Sequence, residues 1–314
     1  MAQHPIRFGI QTGQQNIAWD DMLALWQQAD AWGYDSLWNF DHFLPIFTDP
    51  SGPCLEGWTA LAALAQGTKR ARLGTLVNGN TYRNPCLTAK MAVTLDHVSH
   101  GRLNLGIGAG WFEGEHTAFG IDFMNVPKRL RALDEALRII RGMFTQEKTT
   151  LRGRHYTVVD APGMPKPVQR PYPPIMIGGT GEKVLLRIVA EHADMWNTTG
   201  PAELMAHKIE IIHRHGDAVR RDTSAIEMTV MMPLCYRNPK REASVQRLVA
   251  GMRGSTPEAA RPSIMIGDKQ ECLDTIDRYA KAGVTHFIFM TFAPYNADEI
   301  QAFAEDVMPA VRSR

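Results

Sequence analysis

A helix that ends on glycine and runs straight into an apolar strand recurs along this chain, and few folds tolerate that repeat. Ala29 to Gly33 leads into the run Ser36-Leu-Trp-Asn-Phe40, Leu95 to Gly101 into Arg102-Leu-Asn-Leu-Gly-Ile-Gly108, and Arg278 to Gly283 into Val284-Thr-His-Phe-Ile-Phe-Met290. Residues Lys69 to Thr75 make a fourth, looser entry. Glycine past a helix end takes the left-handed conformation that stops the helix, and the apolar run after it is a buried strand. Alternation of helix and strand through short connections requires parallel strands and right-handed crossovers.

Eight strands are expected near residues 6–12, 35–40, 72–78, 102–108, 174–178, 194–198, 227–236 and 284–291. Helices are expected over 18–32, 58–67, 86–99, 128–144, 181–192, 201–221, 268–282 and 296–311. Eight such units in 314 residues match an α/β fold of the (β/α)8 TIM-barrel type. A doubly wound sheet would need a glycine fingerprint after its first strand, and Gly9-Ile-Gln-Thr-Gly13 lacks one. The reading is a single domain over 1–314 with insertions near 43–57, 147–173 and 237–263. The second insertion holds a short hairpin followed by five prolines; the third is charged and reads as a mobile excursion or lid.

Composition narrows the partners. With 34 basic against 33 acidic residues, neither nucleic acid nor an anionic membrane is the expected partner, and a small molecule is. Met1 opens no basic-apolar leader and no apolar run approaches spanning length, so the expected location is cytoplasmic. Cys54, Cys86, Cys235 and Cys272 are scattered without zinc spacing, and the histidines lack paired strand-end spacing, so no metal is expected.

Chemistry concentrates where strands end. The second strand finishes on Asp41-His42, two titratable groups at the end where parallel barrels keep their chemistry; plain backbone capping is the alternative. Pro174-Ile-Met-Ile-Gly178-Gly179-Thr180-Gly181 is a strand, a glycine turn and a helix start, suited to a phosphate or simply to a tight turn. Gly106-Ile-Gly108-Ala109-Gly110-Trp111 admits a flat ligand against bare backbone. Beyond it Glu113, Glu115 and His116, taken singly, read first as surface residues and second as acids or bases. The amides of Asn78 and Asn80 suit the edge of a heterocycle, or the Asn78-Gly79 pair is turn chemistry, and Asn197-Thr198 ends the sixth strand in the same fashion.

These segments together resemble the luciferase-like monooxygenase superfamily along nearly the whole chain, most closely its coenzyme F420-dependent oxidoreductase branch. The resemblance is carried by Gly9-Ile-Gln-Thr-Gly, Gly33-Tyr-Asp-Ser-Leu-Trp with Asp41-His42-Phe43, Glu56-Gly57-Trp58, Asn80-Thr-Tyr-Arg-Asn-Pro85, Gly106 to His116 and Pro173-Pro-Ile-Met-Ile-Gly-Gly179. It implies a flavin-like cofactor across the strand ends, its ring near His42 and Leu76, Val77, Asn78 and Asn80, with a non-proline cis peptide at Leu76–Val77. Ala109, Gly110 and Trp111, with Asn197 and Thr198, would line the same site, and the phosphate would rest on Gly178, Gly179 and Thr180. His42 is the implied acid/base, Asp41 its orienting group or a cofactor ligand, and Glu113 a second acid/base candidate. Trp111, Trp196 and Trp58 would wall a dry pocket, and Arg83, Lys90 and Lys183 would trail the cofactor's carboxylates. The sugar-phosphate dehydrogenases of this superfamily carry glutamate where this chain has Trp111 and lysine near its Gly200-Pro201, so glucose 6-phosphate is not the expected substrate. Hydride transfer on F420 is the leading expectation. An FMN-dependent two-component monooxygenase with a partner reductase is the alternative, and a non-catalytic cofactor-binding relative is the third. A homodimer is expected in each case.

Overall fold

The computed structural model describes residues 4–46 and 49–313. Residues 1–3 at the chain start, Phe47 and Thr48 inside the expected loop 43–57, and Arg314 lie outside the described residues.

In chain order the elements begin with β1 (Arg7–Thr12), α1 (Trp19–Ala31), β2 (Ser36–Asn39), α2 (Gly57–Gly67), β3 (Arg72–Thr75) and β4 (Asn78–Gly79). Then come α3 (Pro85–Val98), β5 (Leu105–Gly108), α4 (Glu113–Ala118), α5 (Val126–Thr145), β6 (Lys148–Arg152) and β7 (Thr157–Pro162). They continue with β8 (Ile175–Gly178), α6 (Leu185–His192), β9 (Met195–Thr198), α7 (Ala202–Val219), β10 (Glu227–Tyr236) and α8 (Pro239–Arg253). The last are α9 (Pro257–Ala260), β11 (Met265–Gly267), α10 (Lys269–Lys281), β12 (His286–Thr291), α11 (Ala297–Asp306) and α12 (Met308–Arg312).

The sheet runs β3-β2-β1-β12-β10-β9-β8-β5-β4, every neighbouring pair parallel. Its two end strands, β3 and β4, are halves of one: β3 pairs with β2, β4 pairs with β5, and a bridge joins Leu73 to Leu103. The ring is therefore a (β/α)8 barrel closed through its third strand. The interruption is the Leu76–Val77 peptide, which is cis.

Strand alternation sorts the core into two layers. Phe8, Phe287 and Phe289 point out to the helices, where Phe8 and Phe289 meet Phe303 and Phe287 meets Tyr279. The interleaved Trp38, Met176, Met195 and Ile288 point inward and plug the barrel, with Leu76, Val77 and Met231 above them. That plug is the floor of whatever binds at the strand ends.

Local capping explains where helices begin. α5 starts two residues before the expected 128 because Asn125 accepts from the Lys128 N–H and a proline follows in its first turn. α10 carries a full capping box between Asp268 and Glu271. α6 starts later than expected, at Leu185, since residues 182–184 form a turn. The hairpin within 147–173 is the antiparallel pair β6–β7. Residues 237–263, expected as an insertion that reads as a mobile excursion or lid, fold as α8 and α9 with a short 3-10 turn. They enclose a small core of Cys235, Val245, Val249, Ala250, Ala260, Ile264 and Ile266, anchored by β11 on β10. Charge on the outer face hid the apolar spacing of the inner one.

Candidate active site

A cavity of about 680 Å³ opens at the carboxyl ends of the strands. Seven of the eight barrel positions contribute: Gln11, Phe40 to His42, Leu76 to Gly79, Gly108 to Trp111, Gly178 to Gly181, Asn197 to Thr199 and Met231. Parallel strands converge there because each ends at the same face, so residues far apart in sequence share one pocket.

Asp41 and His42 both reach this cavity, but they serve separate networks. Successive residues of extended chain point to opposite sides, so Asp41 does not touch the imidazole. Asp41 is fully buried, and its Oδ2 accepts from the Gly79 N–H at 2.9 Å and from Arg83 at 2.7 Å. Arg83 reaches on to Glu56 at 2.7 Å. Burial pushes the Asp41 carboxyl up to about 6, although the Arg83 guanidinium and the Gly79 N–H pull the other way. Its Oδ1 has no partner among the described residues.

Glu115 is the group that orients His42. Its Oε2 lies 2.8 Å from His42 Nδ1. Tyr82 donates its hydroxyl to the same oxygen, while the Phe43 and Leu44 N–H groups donate to Oε1. Burial alone would raise the Glu115 carboxyl; the hydrogen bonds from His42, Tyr82 and Phe43 outweigh it and hold the carboxyl below its ordinary range. An ionised carboxylate only accepts, so the His42 proton sits on Nδ1. Nε2 has no partner among the described residues, and the ring lines the cavity between Phe40 and Trp111.

Glu113, the expected second acid/base, is exposed on α4 and does not line the cavity. Glu115 and His116, which read as surface residues, are fully buried. His116 bonds the Phe112 carbonyl and Thr81 Oγ1, both at 2.7 Å. One acid turned in and one turned out on a helix of six residues leaves no pattern that distinguishes them from sequence.

Asn78 accepts from Trp58 Nε1 at 2.9 Å, and its Nδ2 is buried without a partner among the described residues. Asn80, expected at the cofactor, does not line the cavity and donates to the Tyr156 hydroxyl. Trp58 and Trp196 are buried away from the cavity; Trp196 donates to the Gly179 carbonyl at 2.9 Å. Trp111 does face it, 62% exposed.

The glycines have two uses. A Cβ on Gly108 or Gly178 would lie 2.9 Å or 3.1 Å from a Val77 methyl, so their bareness admits the Val77 side chain between β5 and β8. At the expected phosphate turn, the Gly179 N–H already donates to the Asn197 carbonyl at 3.0 Å. The N–H groups of Thr180 and Gly181 are uncommitted among the described residues, unlike that of Gly179. Glu182 ties this turn to α7 through Lys208 at 2.6 Å and His207 at 3.1 Å. Arg83 is engaged by Asp41 and Glu56, and Lys90 by the Met164 carbonyl, leaving Lys183 exposed beside the turn.

Away from the cavity, Asp134, Glu191 and His192 come together on α5 and α6, where Arg138 and Arg187 pair with the two carboxylates at 2.8 Å each. No helix among the described residues is long and apolar enough to cross a membrane.

Comparison with known proteins places this geometry. An F420-dependent glucose-6-phosphate dehydrogenase of Amycolatopsis mediterranei is 26% identical over 338 aligned positions, covering 98% of this chain and 99% of that one. A solved F420-dependent secondary alcohol dehydrogenase in complex with an F420–acetone adduct superposes with a TM-score of 0.86 at 21% identity, over 98% of this chain and all of that one. The monooxygenase RslO1 from Streptomyces bottropensis superposes at 0.80 with 20% identity, over 97% and 99%. The sequence profile of the luciferase-like monooxygenases matches residues 2–263. That match spans most of the chain, which therefore belongs to the luciferase-like monooxygenase family.

Proposed function

We propose that this chain is a coenzyme F420-dependent oxidoreductase that moves a hydride to or from a small organic substrate, with His42 handling the proton. The observation that carries the reading is the His42 imidazole, its Nδ1 held by buried Glu115 and its Nε2 free at the cavity. Support for F420 over FMN comes from relatives of matching length that are named F420-dependent.

The residues present fit such a cofactor. Val77 and Leu76 offer an apolar floor, and the unpaired Asn78 Nδ2 and Asp41 Oδ1 offer one donor and one acceptor to a ring edge that needs both. Thr180 and Gly181 would hold the phosphate with their N–H groups. When bound, the deazaflavin supplies the hydride-accepting or hydride-donating carbon. The protein orients the substrate, Trp111 covers it from water, and His42 Nε2 accepts the proton as a hydride departs, or returns it in the reverse direction. Glu115 stabilises the resulting imidazolium and keeps the ring in register.

Paired titration with F420 and FMN, followed by tryptophan fluorescence, tests the cofactor. Tight F420 and weak FMN binding is the expected result; the reverse refutes the reading and favours oxygen chemistry. Turnover unchanged by His42→Ala would remove the proton role.

A further inference from the structure

Among the described residues, the cavity wall holds no lysine and no arginine. Its ionisable members are Asp41, His42 and Tyr82, and the charges directly behind them are the carboxylates of Glu115 and Glu56 with the Arg83 guanidinium. Arg83 is already shared between two carboxyls, so with a neutral His42 the fixed charge around the cavity is negative, and more so once Asp41 ionises. An anionic substrate would surrender its hydration there without a compensating cation. The uncommitted Thr180 and Gly181 N–H groups belong to the cofactor's phosphate on the reading above.

The outer wall is apolar and comes from three separate segments. Ile46 follows β2, Trp111 follows β5, and Val126 and Leu130 sit four residues apart on α5, on one helix face. Trp111 is 62% and Val126 55% exposed, and apolar surface gathered at a cavity mouth marks a place meant to be covered. The Trp111 indole stands 5.6 Å from the His42 ring, centroid to centroid, so a group bound at Nε2 extends against it.

We infer that the substrate is an uncharged, mainly apolar alcohol or the matching carbonyl compound, its oxygen at His42 Nε2 and its carbon skeleton between Trp111 and the Val126–Leu130 face; this rests on the F420 reading. In the oxidative direction the substrate C–H bond breaks and its electron pair leaves as hydride to the oxidised deazaflavin. The O–H proton passes to His42 Nε2, and the alcohol, two electrons poorer, becomes the carbonyl.

The test uses 2-alkanols of increasing length and the same skeletons ending in carboxylate. Each is measured twice: by the emission shift of the cofactor-free protein as the indole loses water, and by kcat/KM of the F420-loaded enzyme. Affinity and kcat/KM are expected to rise about 4-fold per added methylene until the wall is filled, and the carboxylates to bind roughly 100-fold more weakly. Trp111→Ala should flatten the length dependence, and Val126→Lys, at an exposed position, should shift preference toward the carboxylates. Equal binding of charged and neutral ligands, or no dependence on length, overturns the inference. Selective binding of the neutral ligands with no F420-dependent turnover of any alcohol refutes the alcohol assignment alone, whereas failure of the protein to bind F420 refutes the F420 reading. F420-dependent turnover of a charged substrate refutes this inference alone.

Discussion

Replacing Asp41 by asparagine isolates the energetics of a carboxyl buried beneath the cavity. The side chain is fully enclosed, one oxygen is shared by Arg83 and the Gly79 N–H, and the other has no partner. Burial lifts its pKa from 3.8 to about 6. A rise of about two pH units, at 1.36 kcal/mol per unit, corresponds to about 3 kcal/mol. The sign follows from which state holds the proton. Between the unfolded and folded pKa values the native chain keeps a proton that the unfolded chain has released. Asp41 therefore favours folding most below about pH 4, and that contribution is lost as the pH rises through about 6. Asparagine has the same shape and does not titrate. Arg83 keeps Glu56 as a partner in the variant, so losing one partner offsets the variant's stability curve without changing its slope. Urea unfolding of both proteins at pH values from about 4 to 8 should show the difference moving toward Asp41→Asn by about 2.5 kcal/mol, most of it complete by about pH 7. Parallel curves would refute the reasoning, because they would mean that Asp41 titrates alike in both states.

Glu115→Gln keeps the side chain's size but turns an acceptor into a donor facing N–H and O–H groups. Loss of two charge-assisted hydrogen bonds should lower kcat/KM by about 10²–10³, and in the His42→Ala background it should lower it little further; fully additive losses in steady-state assays would exclude a positioning role. Gly108→Ala brings a Cβ to 2.9 Å from Val77 and should destabilise the fold by about 1–3 kcal/mol. Adding Val77→Ala should recover most of that loss in thermal unfolding, and a failure to recover would show that the crowding lies elsewhere.

Much of the fold was legible because it is written locally. Glycine after a helix and an apolar run after glycine are short-range signals, and four such junctions within eight alternating helix–strand units leave little topological choice. The site was legible only as a face. Strand ends were expected to converge, and Asp41, His42, Leu76 to Asn78, Ala109 to Trp111, Gly178 to Thr180, Asn197 and Thr198 do line one cavity. Direction was not legible. Asp41 and His42 are neighbours in sequence and belong to different networks, and three tryptophans near strand ends divide into one at the cavity and two in the core.

From its sequence alone, then, this chain determines the order of its elements, the barrel they close and the end of that barrel where chemistry gathers, since each follows from periodicity and turn chemistry within a few residues. Only the tertiary structure decided that Glu115 rather than Asp41 holds His42, that Gly108 and Gly178 make room for Val77, and that Thr180 and Gly181 keep the free N–H groups. Those outcomes depend on how α4 docks against the loop after β2 and on the register between β8 and β9. Such contacts join residues far apart in sequence, 73 positions for His42 and Glu115, and no local pattern encodes which of two nearby acids turns inward.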